Sequence, residues 1–190
     1  DTVSAGGTLA WAFECFEKGL ITTADTGGLA LHWGNAAVIL TLTQLMIARE
    51  GFGALLADGS QKAAERLGVG AGLAMHAGGQ ELPMHDGRAD AGFALHYAAD
   101  PVPGRHTTGS QIYYEMFRLW TRVIDAPHIR RVRSKKKRFD DVIGIARQAA
   151  ACSRFGGVLN GSGLCLFGAL LGVDRLPIFE WLNAAVGWEK

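Results

Sequence analysis

Most devices that would brace a small chain from outside a packed helical core are missing or scarce here. There are three cysteines, Cys15, Cys152 and Cys165. An odd number with no CxxC pair argues against a secreted disulfide framework and for a reducing cytoplasm. No apolar run approaches the ~20 residues needed to cross a bilayer, so no membrane segment is expected. The opening DTVSAGGTLAWAF carries no positive stretch ahead of its apolar residues, so it does not read as a secretory signal. Few segments alternate apolar and polar residues, and strand signals are correspondingly weak. Familiar chemical signatures are also missing: no GxSxG elbow, no GxxxxGK[ST] phosphate loop, no HExxH. The glycines of GVGAGL at 68–73 are wrongly spaced for a dinucleotide fingerprint, and no strand signal precedes them. Charge of one sign is lacking too. With 19% charged residues and a net charge of +1, the chain is neither disordered nor broadly basic.

What remains is helical spacing, interrupted by 26 glycines that imply frequent stops and close backbone approaches. Residues 3–18 place Leu9, Phe13 and Phe16 on one face and stop at Gly19. Asn35 is placed to cap a helix over AAVILTLTQLMIARE, whose apolar character nearly all round predicts a central, buried position. Ser60 is placed to cap a short amphipathic helix ending at Gly68. From 69 to 111 the chain is rich in Gly, Pro, His and Asp and reads as long functional loops. Helical spacing resumes at Gln111–Val123 and over 139–155, where acidic residues suit a first turn. NGSGLC reads as opening another helix, and Pro177 suits the first turn of a last one. The expectation is an all-α chain, divided at about residue 110 into regions 1–110 and 111–190.

Two clusters invite chemistry. His76, His85, His96 and His106 fall close together in the loop region, but no pair has a usual metal-ligand spacing. Glu81 and His85 are four apart with Pro83 between them, so they do not read as one helix face. The run HIRRVRSKKKR at 128–138 carries seven Lys or Arg without interleaved aromatics, which disfavours nucleic acid and reads as a solvated loop or an acidic-protein docking surface.

The most specific feature is a hexapeptide written twice: DTGGLA at 25–30 and NGSGLC at 160–165. One copy alone reads as a turn. Two copies suggest two equivalent ligands held by equivalent turns. An Asp carboxylate in such a turn can accept paired hydrogen bonds from the amidine-like edge of a pterin or guanine, and the glycines leave room for a ring.

These motifs carry a family resemblance. TLAWAFECFEKGLIT, DTGGLALHWGNA, AREGFGALLADGSQKAAERLG, AMHAGGQELPMHDGRA and NGSGLCLFG occur in family order, and the chain resembles the helical domains 2 and 3 of tungsten-containing aldehyde:ferredoxin oxidoreductases. The resemblance implies two molybdopterins sandwiching tungsten (or molybdenum), each held at one bend, with a 4Fe–4S cluster beside the second. Asp25, Gly28 and Leu29 would hold the first pterin, and Asn160, Gly163 and Leu164 the second. Cys165 would bind cluster iron, and His106 would move the proton. Cys15 and Cys152 match no family motif and read as buried, inert thiols. Implied partners are ferredoxin and a small aldehyde, with no nucleic acid or membrane, and a homo-oligomer is compatible with it. Family relatives that reduce aromatic acyl-CoA thioesters share these motifs, and a non-catalytic helical module is the reading from a different class.

The chain departs from the family pattern in three ways. Asn160 stands where the family has Asp. The other cluster cysteines, in a CxxCxxxC run, are not in the chain and are expected just upstream of residue 1. The family's β-rich N-terminal domain is also absent, and the chain is expected to stop short of the family's C-terminus. The 190 residues on their own are therefore expected to be cofactor-free and inactive, since a cluster needs about four thiolates.

Overall fold

A computed structural model describes residues 1–106, 111–116, 118–121, 137, 140–163 and 177–188. Described residues fall into two compact units, one of 1–86 with 97–106, the other of 87–96 with 107–190. Helices dominate both, as the glycine-punctuated periodicity predicts.

In the first unit, α1 (Thr2–Glu17) starts at Asp1, whose Oδ1 accepts the N–H groups of Val3 and Ser4 at 2.9 and 3.2 Å. This satisfies two of the donors that a helix start leaves without partners. Helix α1 contributes Leu9, Trp11, Ala12, Phe13 and Cys15 to the core and stops ahead of Gly19, whose φ is +68°. Helix α2 (Ala36–Ala48) is capped by the Asn35 side chain, as its position predicts. Helix α3 (Gly51–Leu56) folds back against it, and α4 (Ser60–Leu67) packs on α3 and α1. Gly53 makes the α2–α3 turn tight enough: a Cβ there would run into the Leu45 backbone.

Helix α2 corrects an expectation. Of its residues only Leu42 is fully buried, with Val38, Leu45 and Met46 partly covered by the core. Leu40 and Ile47 are 65% and 80% exposed. An all-round apolar sequence does not require all-round burial, because α3 and α1 cover a single stripe of this helix.

The loop region holds a two-stranded antiparallel ladder, β1 (His76–Ala77) and β2 (Gln80–Glu81). Gly78 and Gly79 join the strands with φ of +58° and +85°, the both-positive pair that a tight hairpin turn demands. Alternation over two-residue strands is too short to be read in advance.

In the second unit, α5 (Ala91–Ala99) begins there and its last residues belong to the first unit. Buried Asp90 organises this start. Its Oδ1 accepts from Gly92 and Phe93, and its Oδ2 from the Ile112 N–H at 3.2 Å, tying in α6 (Gln111–Met116). Helix α7 (Val142–Gly161) is capped by Asp141, so the acid sits before the first turn and not in it. It runs on through Gly161, so Asn160 and Gly161 close this helix; the stretch to Leu171 that the sequence reads as the next helix lies, from Leu164 on, outside the described residues. Pro177 likewise sits at the cap of α8 (Ile178–Val186), one place before the first turn.

Candidate functional site

The first bend follows α1 directly. Leu20 donates its N–H to the Cys15 carbonyl at 2.8 Å, turning the chain out of the helix. Residues Thr22–Gly28 then form one isolated helical turn, with Thr26 N–H on Thr22 O at 3.2 Å and Gly28 N–H on Thr23 O at 2.7 Å. Its inner side is pinned. Buried Thr26 donates its hydroxyl to the Leu29 carbonyl, Leu29 packs on the core and Leu31 is fully buried. Trp33 tilts against Phe13 at 5.4 Å and donates to Glu17.

The outer side is open. Gly27 and Gly28 have φ of +69° and +91°, and a Cβ on either would meet nothing within 4 Å. Asp25 lies exposed beside them. Its Oδ2 accepts both the N–H and the hydroxyl of Thr22, at 2.7 and 2.9 Å, while Oδ1 accepts from no other described residue. The Thr22 backbone N–H, followed by the Thr22 hydroxyl, holds the Asp25 carboxyl below its ordinary range, so it is ionised at neutral pH. A fixed anionic oxygen beside a bare glycine floor suits a flat ligand with an N–H edge.

The second bend lies in the other unit and is built differently. Asn160 and Gly161 are the last residues of α7; Ser162 is its cap and Gly163 turns left-handed at +72°. Gly163 donates to the Asn160 carbonyl at 3.1 Å. The Asn160 side chain is exposed and bonded to no other described residue. The two motifs therefore share an exposed carbonyl-bearing side chain three residues before a left-handed glycine (Gly28, Gly163), on unlike scaffolds. Leu164 and Cys165 lie outside the described residues.

His106 is half-buried in the first unit and stacks on His85, ring centres 4.9 Å apart and planes 16° from parallel. Burial, then the neighbouring His85, pushes its pKa below the ordinary 6.5. The Tyr97 hydroxyl holds the loop by donating to the His85 carbonyl at 2.8 Å. His76 accepts the Gly79 N–H inside the hairpin, and His96 is buried in the part of α5 that belongs to the second unit. Among the described residues no group of three or more His, Cys, Asp or Glu is placed to hold a metal ion.

Cys15 and Cys152 are buried free thiols. Burial, aided by Glu14, pushes Cys15 up to about 11, and burial with Asp90 pushes Cys152 up to about 12. Both stay protonated, as suits inert core residues. Two residues carry roles that sequence reasoning missed. Thr22 orients Asp25; a hydroxyl three positions before an Asp in a turn was the available signal. Glu81, set aside for its failed pairing with His85, instead bonds Ser60 and Thr8 across the first unit, and no local pattern points there.

A family model described as "Aldehyde ferredoxin oxidoreductase, domains 2 & 3" matches residues 1–190. The chain belongs to the aldehyde ferredoxin oxidoreductase family. Tungsten-containing aldehyde ferredoxin oxidoreductases of Pyrococcus abyssi and Pyrococcus furiosus are each 33% identical to it, over 193 and 191 residues. Each alignment covers 100% of this chain and 29% of the relative, so the chain spans less than a third of the aldehyde ferredoxin oxidoreductases it matches. A Pyrococcus furiosus protein named "Aliphatic sulfonate oxidoreductase, WOR-like subunit" is 29% identical over 115 residues, covering 57% of this chain and 18% of that protein. As an aldehyde ferredoxin oxidoreductase family member, the chain has the mostly helical fold the resemblance implied, and no described helix is long and apolar enough to cross a membrane.

Proposed function

We propose that this chain is the pterin-holding helical part of a tungsten (or molybdenum) oxidoreductase that converts an aldehyde to a carboxylic acid and passes electrons to a ferredoxin. The observation that carries this reading is the first bend: an ionised, pre-oriented Asp25 carboxylate beside two left-handed glycines with open space above them. Its acceptor oxygen fits the N–H edge of a pterin, and the family match supplies the cofactor class. When bound, the bis-pterin metal centre supplies the two-electron chemistry, and a 4Fe–4S cluster the one-electron exit.

The chain's residues have four tasks in this reading. Asp25 accepts N–H groups of the first pterin, while Gly28 and Leu29 shape the bend. Asn160 accepts from the second, with Gly163 and Leu164 in the matching places. Cys165 binds cluster iron together with cysteines from elsewhere in the longer protein. His106, kept neutral at pH 7, is able to take up a proton released as the aldehyde is oxidised.

The test is the intact protein supplied with tungsten. Aldehyde-dependent reduction of a ferredoxin or viologen dye, with tungsten and pterin in the purified protein, is the expected result. Aldehyde inactivity together with turnover of an aliphatic sulfonate would move the substrate to that of the sulfonate relative, and turnover of an aromatic acyl-CoA to the thioester-reducing class.

A further inference from the structure

The Asp25 and Asn160 bends differ in one respect that decides what each side chain must supply. At the first bend, the position three before Asp25 is Thr22. Its N–H and hydroxyl both land on Oδ2, at 2.7 and 2.9 Å, filling the two lone pairs of that oxygen. Only Oδ1 is left for a ligand. At the second bend, the position three before Asn160 is Gly157, in α7 (Val142–Gly161). Gly157 has no side chain, and its N–H belongs to the ladder of the helix. The helix end, not the Asn160 side chain, holds that bend in shape, and the single Asn160 oxygen is uncommitted among the described residues.

We infer that each bend offers its ligand one acceptor oxygen. A carboxylate is needed at position 25 only because Thr22 consumes the other oxygen, so Thr22 is a positioning residue and the amide of Asn160 is a full equivalent. This rests on the pterin reading above and accounts for the departure from the family's Asp at position 160. It also replaces the expectation of a carboxylate accepting two parallel bonds through both oxygens. An Asn at position 25 has one oxygen for two tasks. Either the Thr22 donors or the ligand donors then face an amide N–H₂, which cannot accept.

The experiment measures pterin per polypeptide in the purified intact protein, by fluorescence after oxidative release, with melting midpoints to register any general loss of fold. Asp25→Ala and Asn160→Ala are each expected to lower retained pterin, roughly tenfold for a lost charge-assisted or well-formed contact. Asp25→Asn is expected to fall as far as Asp25→Ala, while Asn160→Asp leaves the content unchanged. Thr22→Val lowers it and Thr22→Ser restores it. If both alanine variants keep their pterin, the pterin reading itself fails. If both lose it but Asp25→Asn retains it, or Asn160→Asp raises it, the one-oxygen inference fails and the pterin reading stands. Loss at Asp25→Ala without loss at Asn160→Ala denies the second bend a ligand and overturns the equivalence. Full pterin in Thr22→Val removes the positioning role.

Discussion

Glu81 Oε1 accepts the Ser60 N–H at 2.7 Å, so the first turn of α4 is capped by a residue 21 positions away on a hairpin. The same oxygen takes the Ser60 hydroxyl at 3.0 Å and the Thr8 hydroxyl at 3.2 Å, drawing α1, α4 and β2 to one atom. Ser60, expected to cap α4, is itself the helix's first residue and the capped one; Gly59 holds the cap position with no side chain to offer. Removing the carboxylate strands donors inside a packed unit. Glu81→Ala is expected to cost about 2–4 kcal/mol in denaturant unfolding of this unit. A cost under half a kcal/mol would show that water replaces it.

The same group gives the protein an acid limb. Burial pushes Glu81 up, but the hydrogen bonds led by the Ser60 N–H outweigh it and hold the pKa below the ordinary 4.5. A depressed carboxyl stabilises the fold fully above its unfolded pKa and loses that contribution as pH falls through the folded one. Stability is therefore expected to drop below about pH 4.5. Glu81→Gln should flatten that drop; an unchanged acid limb would reassign it to other carboxylates.

His106 bends the pH profile in a different window with the same direction. Its pKa lies below 6.5, so the unfolded chain binds a proton first as pH falls. Stability contributed by the neutral ring is complete above 6.5 and declines as pH falls from there through the lower folded value. Ring-proton NMR titration of His106 should show the depressed value, and His85→Gln should move it upward by removing the neighbouring charge. A titration at or above the ordinary histidine value would contradict the stacked, half-buried geometry.

Core thiols should be silent. With pKa values pushed up to about 11 and about 12, Cys15 and Cys152 expose almost no thiolate at neutral pH. Iodoacetamide is expected to modify neither in the folded protein and both after denaturation, read by mass spectrometry of the peptides. Rapid native labelling of either one would place it at the surface.

Gly70 is a backbone position closed to change beside that core. Its φ is +69°, its carbonyl accepts the Trp11 indole N–H at 2.9 Å, and a Cβ would lie 2.5 Å from Cys15 Sγ. Gly70→Ala combines backbone strain with overpacking, and a loss of about 2–4 kcal/mol is expected from unfolding measurements. Recovery in Gly70→Ala with Cys15→Ala would locate the clash at the sulfur.

Much of this was readable in advance wherever the cause is local. Asn35 caps the helix that follows it, as its position predicts, because a cap's partners lie two or three residues away; Asp1 and Asp141 do the same without having been named as caps. Glycine stops at Gly19 and Gly68 are as local, and the twin hexapeptides were visible as text. The burial of α2 was misjudged because composition says how much apolar surface exists and nothing about how many neighbours arrive to cover it. Hairpin strands of two residues are too short for a period to show.

From the residue order alone follow the helical class, the helix starts and stops, and the pair of glycine bends, since backbone conformation and capping are settled by near neighbours. Folding in three dimensions settled what those pieces meet: Glu81 under α4, His85 against His106, one stripe of α2 covered, and Thr22 occupying half of the Asp25 carboxylate. The first two and the covering of α2 join groups distant along the chain. The last depends on the angle of one turn: the letters place a hydroxyl three positions before Asp25, and only the folded turn puts it on one carboxylate oxygen.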